Sequence, residues 1–328
     1  MSTTEYLDDL LERLENENLR PGLSLPEGVS FQSDLTIAWE ARKEVQMLKD
    51  PQFIEPLKVR LEKEKVTKKR VHIIQVLVRI ADKAGEHSTA DYILDLVRNE
   101  KVRWIRDVAL TALNHSTLKI SKEKEYLFEL AKHKDWQIKL NTLGLLYRLG
   151  QSYSPRIEEV CLELVKVCKK KPHELSSICH VLSKHGSLKS IESLKDIAST
   201  NSKAFTVNAA IRALEEINGA NELEFFKALF ETNRNNDVKS VITQALCKYG
   251  DGSVPDLLIK RVKSILSKPR KTSTVYIGEA QPELVHIFTF LMGQQDTRAD
   301  TIFDFVRKKK LDLLDTTERK WFDENLMK

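Results

Sequence analysis

Four kinds of residue in this chain could do chemistry, and each has a recognisable setting. Trp104 stands between Arg103 and Arg106, and Trp136 stands three residues before Lys139. An aromatic ring beside a cation can stack on a nucleic-acid base or anchor a protein partner, and it can equally fill the space between packed helices. The segment KRVKSILSKPRK, Lys260 to Lys271, holds six basic and no acidic residues, and it runs into Thr272, Ser273, Thr274, Val275 and Tyr276. Lys268, Arg270, Lys271 and Tyr276 are its candidate binding residues, set against a solvated loop. Cys161, Cys168, Cys179 and His180, with His173 and His185 nearby, have donor atoms for a metal. Their spacing lacks the paired short intervals of a zinc motif and suits buried helix positions instead. No Gly-rich phosphate loop, His-Glu-x-x-His pair or nucleophile elbow occurs, so no catalytic residue, metal or cofactor is assigned.

The elements that must position these residues repeat. Aligned on their terminal glycines, 138–150 (IKLNTLGLLYRLG), 207–219 (VNAAIRALEEING) and 238–250 (VKSVITQALCKYG) share an apolar start, apolar residues at helical spacing and a closing Gly. IRDVALTALNHST from Ile105, IIQVLVRIADKAG from Ile73 and ELSSICHVLSKHG from Glu174 fit the same frame. Gly85, Gly150, Gly186, Gly219 and Gly250 are expected to stop helices in the left-handed conformation. The intervals after Gly150 are 36, 33 and 31 residues, the period of a helical hairpin. A shorter amphipathic helix precedes each copy, for example TADYILDLVRN and NELEFFKALFET. One hairpin cannot cover its own apolar stripe, so neighbours must stack.

This pattern resembles the HEAT-repeat family, whose second helices carry Val-Arg, then Ala, then Ala-Leu. The matching residues are Ile105-Arg106 with Ala109 and Ala112-Leu113, Val207-Asn208 with Ala213-Leu214, and Val238-Lys239 with Ala245-Leu246. The Trp, Leu-Gly and Pro signature of tetratricopeptide repeats is absent. The expected fold is all-α, an α-solenoid of stacked antiparallel hairpins. Its parts are an acidic amphipathic helix (1–17), a Pro/Gly linker (18–34), the repeat array (35–294) with an insertion loop at 267–282, and a capping hairpin (295–328).

The resemblance places Arg106, Lys139 and Lys239 at one position of successive second helices, with Asn208 interrupting the ladder. In that family such a cation pairs with an Asp in the preceding turn, and Asp135 and Asp237 are suitably placed. The alternative is a basic stripe that contacts phosphates or carboxylates. The function implied is a non-enzymatic scaffold that binds a partner protein. Nucleic-acid binding is the second reading, extending to the alkylpurine DNA glycosylases, which are built from HEAT-like repeats and whose residue types are met here by Trp104, Asp107, Trp136 and Arg148.

Charge and composition bear on the same choice. Charged residues make up 31% of the 328, and the net charge of +5 conceals an acidic first 50 residues and a basic remainder. No apolar run approaches the roughly 18 residues of a membrane helix, and the N-terminus lacks an apolar signal core. With four scattered cysteines, the expectation is a soluble protein of the reducing cytoplasm that does not engage a membrane. Its oligomeric state is left open.

Overall fold

The computed structural model describes residues 2–26, 28–122, 124–267, 282–294 and 297–326. Among these residues all regular structure is helical, and a single isolated antiparallel bridge joins Leu19 to Thr36. The chain forms two compact units, Met1–Tyr153 and Ser154–Lys328.

The first unit opens with α1 (Thr3–Glu15) and α2 (Ile37–Met47). Three helical pairs follow: α3 (Ile54–Lys63) with α4 (Thr67–Ala84), α5 (Ser88–Asn99) with α6 (Arg103–Asn114), and α7 (Lys124–Leu130) with α8 (Trp136–Arg148). In each pair the two helices pack together, and the second helices pack in succession, α4 on α6 and α6 on α8. The apolar spacing explains why: Ile105, Ala109, Leu110 and Leu113 of α6 form one buried stripe. Each fully buried Leu or Ile of such a stripe contributes about 1.5–3 kcal/mol, which a lone hairpin could not realise.

Residues 18–34, expected as a linker, are tied into this unit. Arg20 N–H donates to Leu35 O at 2.9 Å, Ile37 N–H to Asn18 O at 2.9 Å, and Arg20 pairs with Glu40 at 2.7 Å. With its ends so joined, the segment brings α1 back onto α2, α3 and α4, so the acidic helix belongs to the unit's core and does not hang from it. Leu7, Leu10, Leu11 and Leu14 are its buried face.

The second unit continues the alternation in five pairs. They are α9 (Ser154–Val167) with α10 (Pro172–His185), α11 (Ile191–Thr200) with α12 (Ala204–Asn218), and α13 (Leu223–Thr232) with α14 (Asn236–Tyr249). The last two are α15 (Pro255–Ile265) with α16 (Glu283–Gly293), and α17 (Thr297–Lys309) with α18 (Thr316–Leu326). The second helices again pack in order from α10 to α18. At the C-terminal end Phe288, Phe303 and Phe322 meet edge to face, with centroids 5.8–6.3 Å apart.

Two sequence expectations need correction here. Gly85 does end α4 in the left-handed region, at φ 71°. Gly186 and Gly250 instead leave their helices with extended backbone. Their requirement is space: a Cβ on Gly186 would lie 2.7 Å from Ile217 Cδ1, and one on Gly250 would lie 2.9 Å from Val254 Cγ2. The basic segment from Lys260 is also not loop throughout. Helix α15 runs to Ile265, and Arg261 is buried, giving two hydrogen bonds to Glu283 (2.7 and 3.0 Å) and one to Asn236 Oδ1 (2.9 Å). Lys268, Arg270, Lys271 and Tyr276 lie outside the described residues, as does nearly all of the 267–282 insertion.

Candidate functional site

The candidate site is the row of turns that join first to second helices in the first unit. The chain reverses there under a local constraint that recurs three times. Glu64 Oε1 accepts from Val66 N–H at 2.8 Å, and Glu100 Oε1 accepts from Val102 N–H at 2.7 Å. His133 Nδ1 takes the same role toward Asp135 N–H at 3.0 Å. Each acceptor holds the amide two residues on, so the residue between is thrown outward. Those residues are Lys65, Lys101 and Lys134, all exposed.

The next residues begin the second helices with apolar side chains in water. Val66 is 52% exposed, Val102 39%, Trp104 50% and Trp136 52%. Trp104 is the second residue of α6 and Trp136 the first of α8. Neither indole makes a hydrogen bond or ring contact with another described residue. Each tryptophan thus keeps about half of its surface in water and half against its own unit. Helix starts lie at the rim of the stack, where no following turn covers them.

Carboxylates at this edge are already engaged. Glu100, its side chain 6% exposed, is bound by Arg70 at 2.6 Å. Burial works to raise its pKa, yet the Val102 N–H and Arg70 together hold it below the usual carboxylate range. Asp135 caps α8 by accepting from Gln137 N–H at 3.0 Å and is also bridged by Arg103. Against the effect of burial, the Gln137 N–H and Arg103 keep its pKa low. The pairing expected from the resemblance is thus displaced by one helix: Asp135 pairs with Arg103 of the preceding second helix. Lys139, at 4% exposure, is buried and forms no part of an exposed basic stripe. Lys239, in the second unit, lays its ammonium 4.9 Å from the centre of the Phe230 ring. The ladder position faces neighbouring structure in both cases, because it follows directly after a buried Ile138 or Val238.

Asp107 and Arg148 are also committed elsewhere. Asn141 Nδ2 donates to Asp107 Oδ1 at 2.8 Å and to Thr111 Oγ1 at 2.9 Å. Burial, followed by the charge of Asp135, pushes the Asp107 carboxyl up. Arg148 donates to the carbonyls of Leu113 (2.5 Å) and Leu118 (2.8 Å), where a cation complements the C-terminal end of α6. Arg148 ends the helix that Trp136 begins, and a helix rises about 1.5 Å per residue, so about 18 Å of α8 separates them. The four residues suggested by the glycosylase resemblance do not converge on one cleft.

Between the first two turns lies a groove of about 530 Å³, whose lining mixes Glu62, Glu64, Asp95 and Glu100 with Lys65, Arg70, Tyr92 and Leu96. Burial raises the Tyr92 phenol to about 12. Cys161, Cys168 and Cys179 are buried in the second unit, and burial pushes the Cys179 thiol up to about 12. The sequence reading missed the turn device, although the tripeptide Glu-Lys-Val stands in full at 64–66 and again at 100–102.

No family model and no curated protein matches this chain. Among the described residues no helix is long and apolar enough to cross a membrane.

Proposed function

We propose that both units are stacks of HEAT-like repeats, an α-solenoid architecture, and that the chain is a non-enzymatic scaffold that binds a partner protein. The second-helix side and the 267–282 segment form its binding surface. Supporting the repeat reading, hydrogen bonds join residues one period apart: Asp82 to Thr117, Asp107 to Asn141, Pro172 to Thr206 and Glu215 to Tyr249, separations of 34–35 residues. Each repeat thus leans on the next, as in quasi-one-dimensional arrays.

The observation that carries the binding reading is the pair of half-exposed indoles at the heads of α6 and α8. Packed helices lie about 8–10 Å apart, close enough for one partner to cover both rings. Tryptophans in such settings are frequent energetic anchors of protein interfaces. The mixed charge of the adjacent groove suits a protein better than a polyphosphate.

Affinity capture with the natural chain and with a Trp104→Ala/Trp136→Ala variant tests this, provided circular dichroism shows both folded. A protein recovered with the natural chain and depleted by at least about tenfold with the variant is expected. Equal recovery by both would remove the tryptophans from the interface.

The exposed lysines beside the indoles favour nucleic-acid binding as a second reading. Duplex DNA would then bind with a slope of log affinity against log salt near −0.9 per neutralised phosphate. A shallow slope that is unchanged when Lys65, Lys101 and Lys134 become Gln is the outcome consistent with a protein partner.

A further inference from the structure

We infer that the turn edge of the first unit receives an acidic peptide segment in extended form, its carboxylates meeting Lys65, Lys101 and Lys134 while its apolar side chains cover Val102, Trp104 and Trp136. The inference rests on the protein-binding reading and specifies the chemistry of the partner.

The charge argument is one of subtraction. Three carboxylates near these turns are consumed: Glu64 holds turn amides, Glu100 binds Arg70, and Asp135 binds Arg103. At the centre of each turn the side chain that faces water is a lysine. Glu62 and Asp95 line the groove between the first two turns, but at the turn centres themselves Lys65, Lys101 and Lys134 are the exposed charges, and they are complementary to added negative charge.

Spacing argues for an extended chain. Successive second helices α4, α6 and α8 pack directly, at about 8–10 Å between axes. An extended peptide in the polyproline II form rises about 3.1 Å per residue with three residues per turn, so about three residues carry it from one turn to the next and return a side chain to the same face. Acidic residues at every third position would therefore reach the three lysines in order. The residues between them would fall on the apolar starts of α6 and α8.

The kinds of side chain favour a peptide over a nucleic acid. The outward cations at the turn centres are all lysines, compact charges without the planar fork that matches phosphate, and the neighbouring arginine Arg103 is already tied to Asp135. Val66 and Val102 offer aliphatic surface, which packs against apolar side chains and has no face on which a base could stack.

A peptide array tests the proposal on the full chain. About seven residues span the three turns, so nonapeptides carry Asp at positions one, four and seven with varied apolar residues between, beside the same set with Asn for Asp. Members of the Asp set should bind about tenfold or more tighter than their Asn counterparts. Lys65→Glu/Lys101→Glu/Lys134→Glu should abolish that preference, and Trp104→Ala/Trp136→Ala should weaken binding of every member. Lys169→Glu/Lys170→Glu, in the second unit, should leave it unchanged. Equal binding of the two sets overturns the proposal, and so does tighter binding of an oligothymidylate that the same lysine changes abolish. If the array fails while captured protein still depends on the tryptophans, only the acidic-peptide inference falls. If captured protein is indifferent to the tryptophans, the broader reading falls as well.

Discussion

The two units place aromatic residues at the same point of a second helix and treat them differently. In the first, Trp104 and Trp136 open α6 and α8 with half of their surface in water. In the second, Phe205 is the second residue of α12, and His173, the second residue of α10, stacks on it with centroids 4.8 Å apart at 25°. Nearby, the buried Glu174 accepts from Cys168 Sγ at 2.9 Å and pairs with Lys171 at 3.3 Å. Both edges keep apolar surface in water, Phe205 at 42% exposure, but in the second unit a neighbouring ring stacks on the aromatic and in the first none does. A repeat thus supplies a position, and the neighbouring repeat decides whether the ring there finds a stacked partner.

The sharpest separation should come from cations that differ in burial. Arg261 in the second unit is 6% exposed and spans Glu283 and Asn236, so Arg261→Met should destabilise that unit by about 3 kcal/mol by removing one buried guanidinium from two partners. Arg103 in the first unit makes an ion pair too, but its side chain is 65% exposed and Asp135, at 12%, keeps its bond from Gln137 N–H without it, so Arg103→Met should cost at most about 1 kcal/mol. Urea unfolding of both variants measures the gap. Equal losses would mean that the second unit's pair is no more buried in solution than the first unit's.

A smaller effect concerns the aromatics themselves. Phe205→Ala removes a ring that His173 covers and should lower stability by about 1 kcal/mol. Trp104→Ala and Trp136→Ala remove rings that keep half of their surface in water and stack on no neighbouring ring, so each should cost no more than Phe205→Ala. Thermal melts decide it. If the tryptophan variants melt lower than the Phe205 variant, the first unit's edge is structural after all and the comparison collapses.

The sequence made the helices legible because their cause is local. Apolar residues at helical spacing mark each second helix, and the pairs seen at α5/α6, α11/α12 and α13/α14 fall where the glycine-aligned frame puts them. What it hid depends on contacts about one period away. Nothing local says that Asp135 would choose Arg103 over Lys139, since that choice follows from how α6 lies on α8. Nor does residue type say that Phe205 has a stacked ring beside it while Trp104 has none. Gly186 and Gly250 look like Gly85 in sequence, yet they are required by the closeness of the Leu182 and Leu246 carbonyls and of the Ile217 and Val254 side chains and not by backbone handedness. The stitched segment 18–34 read as a linker because its prolines and glycines are conspicuous, whereas the Arg20 contacts that fold it back are not.

The smallest predicted effect is the most diagnostic, because one chemical change should act with opposite sign in the two units. Beneath the open edge, burial and then the charge of Asp135 raise the pKa of Asp107, so the folded chain holds that proton more tightly than the unfolded chain does. The stability linked to the bound proton is full below the unfolded carboxyl pKa and is lost as pH rises through the folded one. At neutral pH Asp107 is therefore an ionised group in a setting that disfavours ionisation. Asp107→Asn retains an oxygen for Asn141 Nδ2 and removes the charge, so the variant should melt above the natural chain at pH 7. That advantage should shrink as pH falls through the raised carboxyl pKa, where the natural side chain is itself neutral. In the second unit, Glu174 is matched by Lys171 and Cys168, and Glu174→Gln should instead lower stability at pH 7, by about 0.5–1 kcal/mol. Melting curves of both variants from pH 3 to pH 8 read the two signs directly. A destabilised Asp107→Asn at pH 7 would show that Asp107 makes a favourable charged interaction, and the open edge would then rest on a matched site like that of the second unit.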